Sequence, residues 1–477
     1  MTYPRDLVGY GRNIPHAKWP GGARIAVQFV INYEEGGENN ILHGDAGSEA
    51  FLSEIVGAAA WPGMRHMNME SIYEYGSRAG FWRLHRMFTD RNMPVTVYGV
   101  AHAMMRNPDA VAAMNEAGWE IASHGLKWID YRDFSPEDEA SHITEAVRIH
   151  AEVAGERPLG MYQGRTSANT LRLTQGEGGF LYSADSYADE LPYYVEGPNA
   201  RGGTGPFLIV PYTLDANDMR FATPQGFNSG DQFFTYLKDS FDTLHAEGET
   251  APKMMSIGLH CRLVGRPGRA AALARFLDYV QGHEKAWVAT RLDIARHWVI
   301  THAPAGGWKP SRLPKPLFMA RFGGIFEHSP WVAGGAFAGG LGPGTDTAPG
   351  LHAVMVKAMR AGTDEQKRAL ILAHPDLAGR LALARQLTAD SSKEQASAGL
   401  DRLTPAELNE FTRLNDAYKA KFGFPFILAV KGRSKDDILR SFTTRMGNNT
   451  TDEFATALAE IERIARLRLG EILPETA

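Results

Sequence analysis

The chain predicts a closed (β/α) barrel of parallel strands followed by a separate all-α domain, and three observations carry that expectation. Residues 1 to 300 alternate short apolar, β-branched runs with helical patterns, the rhythm of parallel strands joined by crossover helices. The stretch 303–316 (APAGGWKPSRLPKP) holds four prolines and two glycines, which neither continue a helix nor fit a central strand. Beyond it Ala, Leu, Glu, Lys and Arg recur at helical spacing with almost no strand signal. The expected organisation is a first domain at 1–302, a linker at 303–316 and a helical domain at 317–477.

Strands are expected at 24–31, 94–100, 120–123, 160–163, 181–185, 207–212, 254–259 and 286–290. Between them, helices are expected at 49–58, 71–89, 107–117, 136–154, 231–247 and 270–282. The fourth opens with Ser135-Pro136-Glu137-Asp138, where Ser caps free N–H groups, Pro suits the first turn and acids favour the positive helix end. In the second domain, Thr404-Pro405-Ala406-Glu407, Thr450-Thr451-Asp452-Glu453 and Ser391-Ser392-Lys393-Glu394 read as capping boxes. The Gly-rich segment 334–350 has no Gly-Lys-Ser/Thr and reads as a loop.

Composition narrows the function. Of 477 residues, 44% are hydrophobic and 22% charged, enough apolar surface to bury real cores. A formal charge of -5 offers no basic field for a polyphosphate backbone, so no nucleic-acid partner is expected. No run reaches the roughly 18 apolar residues needed to span a bilayer, so no membrane partner is expected either. The single cysteine, Cys261, can form neither an intrachain disulfide nor a thiolate metal cage, and a reducing cytoplasm fits.

Four places put ionisable groups just past the ends of expected strands, where parallel barrels carry their chemistry. They are Asn32-Tyr33-Glu34-Glu35-Gly36-Gly37-Glu38, Ser123-His124-Gly125-Leu126-Lys127-Trp128, Gln163-Gly164-Arg165-Thr166 and Gly258-Leu259-His260-Cys261-Arg262. Each alone has a bland alternative, a solvated acidic loop or a satisfied core histidine. Together they resemble the NodB-type polysaccharide deacetylases, with an acidic pair after strand one, a Ser-His-Gly motif and a late Leu-x-His. That resemblance implies a distorted (β/α) barrel, in which the acidic pair supplies a base and a metal ligand and a His-x-x-x-His turn supplies two more ligands. Here position 128 is Trp, whose indole has no lone pair for a metal, and the acidic pair is Glu-Glu in place of Asp-Asp. No metal is expected.

That departure, with Tyr3-Pro4-Arg5-Asp6-Leu7, Arg65-His66-Met67, Glu74-Tyr75-Gly76-Ser77-Arg78 and the run from Pro211 to Phe221, is similar to the PuuE-type allantoinases, metal-independent members recruited from the deacetylases. The resemblance implies hydrolytic opening of the hydantoin ring of allantoin to allantoate. Opening a cyclic amide needs a base to activate water, donors to hold the oxyanion and an acid for the leaving nitrogen. Glu34 or Glu35 can be the base, and His124 and His260 can share proton transfer and oxyanion stabilisation. Arg165, Asn217 and Asp218 can bind ureido and ring amide groups or serve structure alone, and Trp128 can wall the pocket.

The helical domain carries Ala373-His374-Pro375-Asp376-Leu377, Ser391-Ser392-Lys393-Glu394-Gln395, Gly423-Phe424-Pro425-Phe426-Ile427, Phe322-Gly323-Gly324-Ile325-Phe326-Glu327-His328 and Leu467-Arg468-Leu469. In conjunction these resemble OHCU decarboxylase, an all-helical, cofactor-free enzyme that converts 2-oxo-4-hydroxy-4-carboxy-5-ureidoimidazoline (OHCU) into (S)-allantoin. The resemblance implies His374 as the central catalytic residue, Glu394 beside it and Arg468 on the substrate. Pro375, Ser391, Gln395 and Ile427 would line the site. Both resemblances imply small-molecule substrates, OHCU and allantoin, no cofactor, and a homo-oligomer. A metal-dependent chito-oligosaccharide deacetylase fused to a helical decarboxylase or assembly module is the alternative, opposed by Trp128.

Overall fold

Strand β1, Ile25–Tyr33, is buried at every residue, as expected of an apolar, β-branched run covered on both faces of a parallel sheet. In the computed structural model, which describes residues 5–377, 400 and 403–476, β1 pairs with three other strands of a nine-stranded sheet. The others are β2 (Thr96–Gly99), β3 (Glu120–Ser123), β4 (Gly160–Met161), β5 (Tyr182–Ser183), β6 (Tyr193–Pro198), β7 (Thr204–Ile209), β8 (Lys253–His260) and β9 (Ala286–Val288). The order is β6-β7-β5-β4-β3-β2-β1-β8, with β9 beside the first half of β1. Every pairing is parallel except β6 with β7.

All eight expected strands are present, and β6 is an addition. Its run Tyr-Tyr-Val-Glu-Gly-Pro carries three poor strand formers, tolerated because β6 is the sheet edge. The hydrogen-bonded path does not close as a full barrel would. Between β8 and the far side, Asn217 pairs with Gly258 in an isolated bridge, so the barrel is split and distorted.

The helix expected at 49–58 is absent. The Glu49 carboxylate accepts from the backbone of Ala50 and Phe51, both at 3.0 Å, and ties the chain into a turn instead. The helix expected at 71–89 runs from Met67–Tyr75 through a π-helical segment, Gly76–Gly80, into Phe81–Thr89. Its glycines bring the backbone close to the site: a Cβ on Gly76 would overlap the Glu35 carboxylate, and one on Gly80 the Cys261 carbonyl. Helices Pro108–Glu116, Pro136–Ala154, Gly230–Glu247 and Pro267–Gln281 lie where patterning puts them. Ser135 caps the second of these as expected.

The chain divides into two units, Met1–Ala305 and Gly306–Ala477. Trp308, Pro310 and Leu313 are buried and Ser311 bonds Asp346, so the proline-rich stretch from Gly306 onward belongs to the second unit rather than to a free linker. Among its described residues that unit has helices and no strand, the α-helices being Lys315–Phe322, Pro330–Ala338, Ala348–Arg360, Asp364–Leu372, Pro405–Phe422, Lys435–Arg445 and Thr450–Gly470. The Gly-rich segment read as a loop contributes to two of these helices. A Cβ on Gly335 would press on the Ala358 side chain, and one on Gly350 would overlap the Gly344 carbonyl. Thr404 and Glu407 form the expected capping box, but Asn449 rather than Thr450 caps the last helix. Glu453 is thereby released to pair with Arg445 in the core. The capping box expected at Ser391 lies outside the described residues.

Candidate active sites

Parallel register places the first site. Tyr33 pairs with Gly99 and Gly99 with Ser123, while Asn32 pairs with His260. The residues just beyond or at those ends, Glu34, His124 and His260, therefore emerge on one rim. They meet in a cavity of about 620 Å³ that is also lined by Trp128, Arg165 and Asn217.

Glu34 is 1% exposed and sits between two imidazoles. Its Oε1 lies 3.3 Å from His124 Nε2 and 3.5 Å from His260 Nε2, and its Oε2 accepts from Arg262 Nη2 at 2.6 Å. Burial alone would raise its pKa, but Arg262 and His260 hold the carboxyl well below the usual range. His260 is the opposite case. Burial opposes its charge, yet Glu34 and Asp218 push the imidazole up to about 9. Asp218 Oδ1 accepts from His260 Nδ1 at 2.6 Å, and Oδ2 accepts from the backbone of His260 and Val264 at 2.8 and 2.9 Å. Asp218, expected among the ligand-binding groups, is fully buried behind His260 and orients it. Among the described residues His124 Nδ1 is buried with no hydrogen-bond partner, which places the ring proton on Nε2, toward Glu34.

Glu35 turns away from the cavity. Its Oε1 accepts from the Arg262 backbone at 3.2 Å, and burial raises its pKa. Trp128 walls the cavity, with the guanidinium carbons of Arg165 and Arg262 each 5.1 Å from its ring. Arg165 also reaches the Trp128 carbonyl at 3.3 Å. Asn217 spends its amide on structure: Oδ1 accepts from Met219 N at 2.9 Å and Nδ2 donates to Thr213 O at 3.2 Å. Arg262 is the residue that strand-end reasoning passed over, although it ends the quoted Gly-Leu-His-Cys-Arg run. Tyr162, Tyr187 and Tyr212, which complete the wall, gave no signal because aromatic residues at strand ends read as core.

These residues do not fit a resident metal of the deacetylase kind. Of the acidic pair and the two turn positions, Glu35 points elsewhere, Trp128 has no lone pair, and the second oxygen of Glu34 is committed to a guanidinium. Among the described residues no group of three or more His, Cys, Asp or Glu is arranged to hold an ion.

In the second unit His374 is 8% exposed and Nδ1 bonds the Leu370 carbonyl at 2.8 Å. That bond puts the proton on Nδ1 and leaves Nε2 as the acceptor. Burial lowers the pKa to about 4, with the charges of Glu327 and Arg468 acting on the ring in opposite senses. Arg468 Nη1 donates to Glu327 Oε2 at 2.8 Å and to Ile325 O at 3.2 Å. Glu327 lies within a quoted segment, but its position before His328 gave no reason to single it out. Pro375 follows His374 and is half-buried, while Ile427 is buried and its carbonyl accepts from Arg445. Ser391, Glu394 and Gln395 lie outside the described residues.

Both units have relatives. Residues 69–174 match the polysaccharide deacetylase family model and residues 311–470 the OHCU decarboxylase model. A protein of Schizosaccharomyces pombe assigned to the polysaccharide deacetylases is 43% identical over 63% of this chain and 99% of its own. The OHCU decarboxylase of Halalkalicoccus jeotgali is 40% identical over 34% of this chain and 88% of its own. The chain belongs to the polysaccharide deacetylase family in its first unit and to the OHCU decarboxylase family in its second. Within the former, it is similar to the crystal structure of PuuE allantoinase, at 59% identity and a TM-score of 0.62 over 63% of this chain and 99% of that one.

Proposed function

We propose that the chain is a bifunctional enzyme of urate breakdown: the second unit decarboxylates OHCU to (S)-allantoin and the first hydrolyses allantoin to allantoate. The observation that carries the first activity is Glu34 held between His124 and His260 in a constellation whose donor set does not fit a metal, in a chain similar to a PuuE allantoinase.

Two titratable groups with pKa values pushed apart divide the acid and base roles. Glu34, ionised, takes a proton from water as its oxygen attacks the ring carbonyl carbon. His260, charged and anchored by Asp218, protonates the ring nitrogen as its bond to that carbon breaks. His124 positions Glu34 through Nε2, and the cationic rim of His260 and Arg165 favours the oxyanion. Trp128 and the tyrosines keep bulk water from the ring.

In the second unit the imidazolinone ring itself delocalises the electrons left by CO₂, so the protein orients and moves protons. His374, neutral with Nε2 as acceptor, relays the C4 hydroxyl proton to the neighbouring ureido-bearing C5 as CO₂ leaves C4, so that C4 becomes the carbonyl of allantoin and a proton from water neutralises the ring nitrogen. Arg468, held by Glu327, binds carboxylate or ureido oxygens. The family resemblance gives Glu394 the hydroxyl hydrogen bond and gives Ser391 and Gln395 a part in substrate binding.

We place the chain in the cytoplasm, on its one buried cysteine, and take it to form a homo-oligomer. Among the described residues no helix is long and apolar enough to cross a membrane. The test is direct: the purified chain given allantoin alone should release one allantoate per allantoin, and given OHCU it should release CO₂ with chiral allantoin. Failure of either reaction removes that unit's assignment.

A further inference from the structure

The deacetylase fold ordinarily answers the charge of its acidic pair with a metal, and the donor set of this chain does not fit one. Something else must neutralise two adjacent glutamates that are 1% and 3% exposed, because an unpaired buried carboxylate is strongly disfavoured. The group in that position is Arg262, with no exposed surface at all. Nη2 donates to Glu34 Oε2 at 2.6 Å, Nη1 to Glu35 Oε1 at 3.4 Å, and Nε to the Leu52 carbonyl at 2.9 Å. The guanidinium lies against the rings of Tyr73 at 4.3 Å and Trp128 at 5.1 Å. Trp128 is the residue standing where a ligand histidine would be, so the same substitution that removes a metal ligand provides a face for a cation.

We propose that Arg262 is the positioning residue of the ring-opening site, a built-in cation that takes the electrostatic place of a metal: it fixes Glu34 with Oε1 toward the two imidazoles and keeps it charged without touching the substrate. The geometry is specific to arginine. One planar group reaches both carboxylates and a backbone carbonyl from between two aromatic faces, which a point-charge ammonium cannot match. Arg262 does not line the cavity, so its loss should act on the rate of the chemical step and leave substrate binding nearly intact.

This inference rests on the allantoinase reading of the site, and the experiment separates the two. Full-length wild type, Arg262→Lys and Arg262→Ala are compared for kcat and KM in allantoin ring opening, with melting temperatures. Each is assayed with a chelator, with added Zn²⁺ and with guanidinium chloride at concentrations below those that unfold the protein. Wild type should keep its kcat in chelator. Arg262→Ala should lose about 100-fold or more in kcat with KM changed less than about threefold, and guanidinium should restore about tenfold in a saturable way. Arg262→Lys, which keeps a charge and decides the matter if the alanine variant does not fold, should lose about tenfold in kcat. Variants that match wild type in kcat, a folded alanine variant that guanidinium leaves inactive, or wild-type activity lost to chelator and regained with Zn²⁺ would overturn the proposal. Wild type inert toward allantoin would instead remove the functional reading beneath it.

Discussion

Asp218 grips His260 at two points, accepting from ring Nδ1 at 2.6 Å and from the backbone N–H at 2.8 Å, so one buried carboxylate sets the orientation of the imidazole and, together with Glu34, holds its charge. The charged form, held up to about 9, is the proton donor of ring opening. Allantoin hydrolysis should therefore fall as pH rises through about 9, and Asp218→Asn should move that fall downward by about one to two pH units. The pH dependence of kcat/KM for both proteins checks this, and superimposable profiles would contradict it. The stability sign is the same. A histidine raised above its unfolded value of about 6.5 stabilises the fold fully below that pH and loses its contribution as pH rises through about 9.

Glu34 and Glu35 are adjacent but face different surroundings. Glu34→Gln should lower allantoin hydrolysis by about 10² to 10⁴, the range of a general base. Glu35→Gln keeps an oxygen for the Arg262 backbone and should stay within about tenfold of wild type. Steady-state assays of the two variants decide it. Equal losses, or the reverse order, would reassign the base.

His374 should act as a base over a wide range. Its pKa, lowered by burial to about 4, predicts decarboxylation that is level through neutrality and falls only as pH approaches that value. Below about 6.5 the unfolded chain binds a proton that the folded chain refuses, so the second unit should also lose stability as pH drops from there toward about 4. A decarboxylation profile falling near pH 6.5 would show an ordinary exposed histidine.

The π-helical segment is fitted to the acid pair. Gly76→Ala puts a methyl into the space of the Glu35 carboxylate, and overpacking of this kind costs about 1–3 kcal/mol. Allantoin hydrolysis should fall while OHCU decarboxylation in the other unit is unchanged. Thermal melting and both assays on one preparation check it, and a variant with wild-type melting and hydrolysis would contradict the packing.

Much of this was legible in the chain. Apolar β-branched runs such as Ile25–Tyr33 announce buried parallel strands, and motifs at strand ends converge because register aligns the ends. Which glutamate faces the cavity was not legible, since past the end of β1 the two-residue alternation no longer applies. Asp218 looked like a ligand group because sequence shows its acid and not the imidazole in front of it. Arg262 was hidden for a related reason. A charge at a strand end reads as solvent-exposed, and only the fold reveals the two carboxylates and two rings that enclose it. Edge strand β6 and the helical glycines were missed because their residues are poor formers whose structure is imposed by packing.

The most direct test of two consecutive activities in one chain is a time course with freshly generated OHCU, following CO₂, chiral allantoin and allantoate together. The wild-type chain should release CO₂ and then allantoate in equal amounts, with (S)-allantoin passing through as the intermediate. Glu34→Gln should stop at (S)-allantoin, and His374→Ala should fail on OHCU yet still hydrolyse added allantoin. Racemic allantoin accumulating at the uncatalysed rate, with no allantoate from the wild-type chain, would contradict the account.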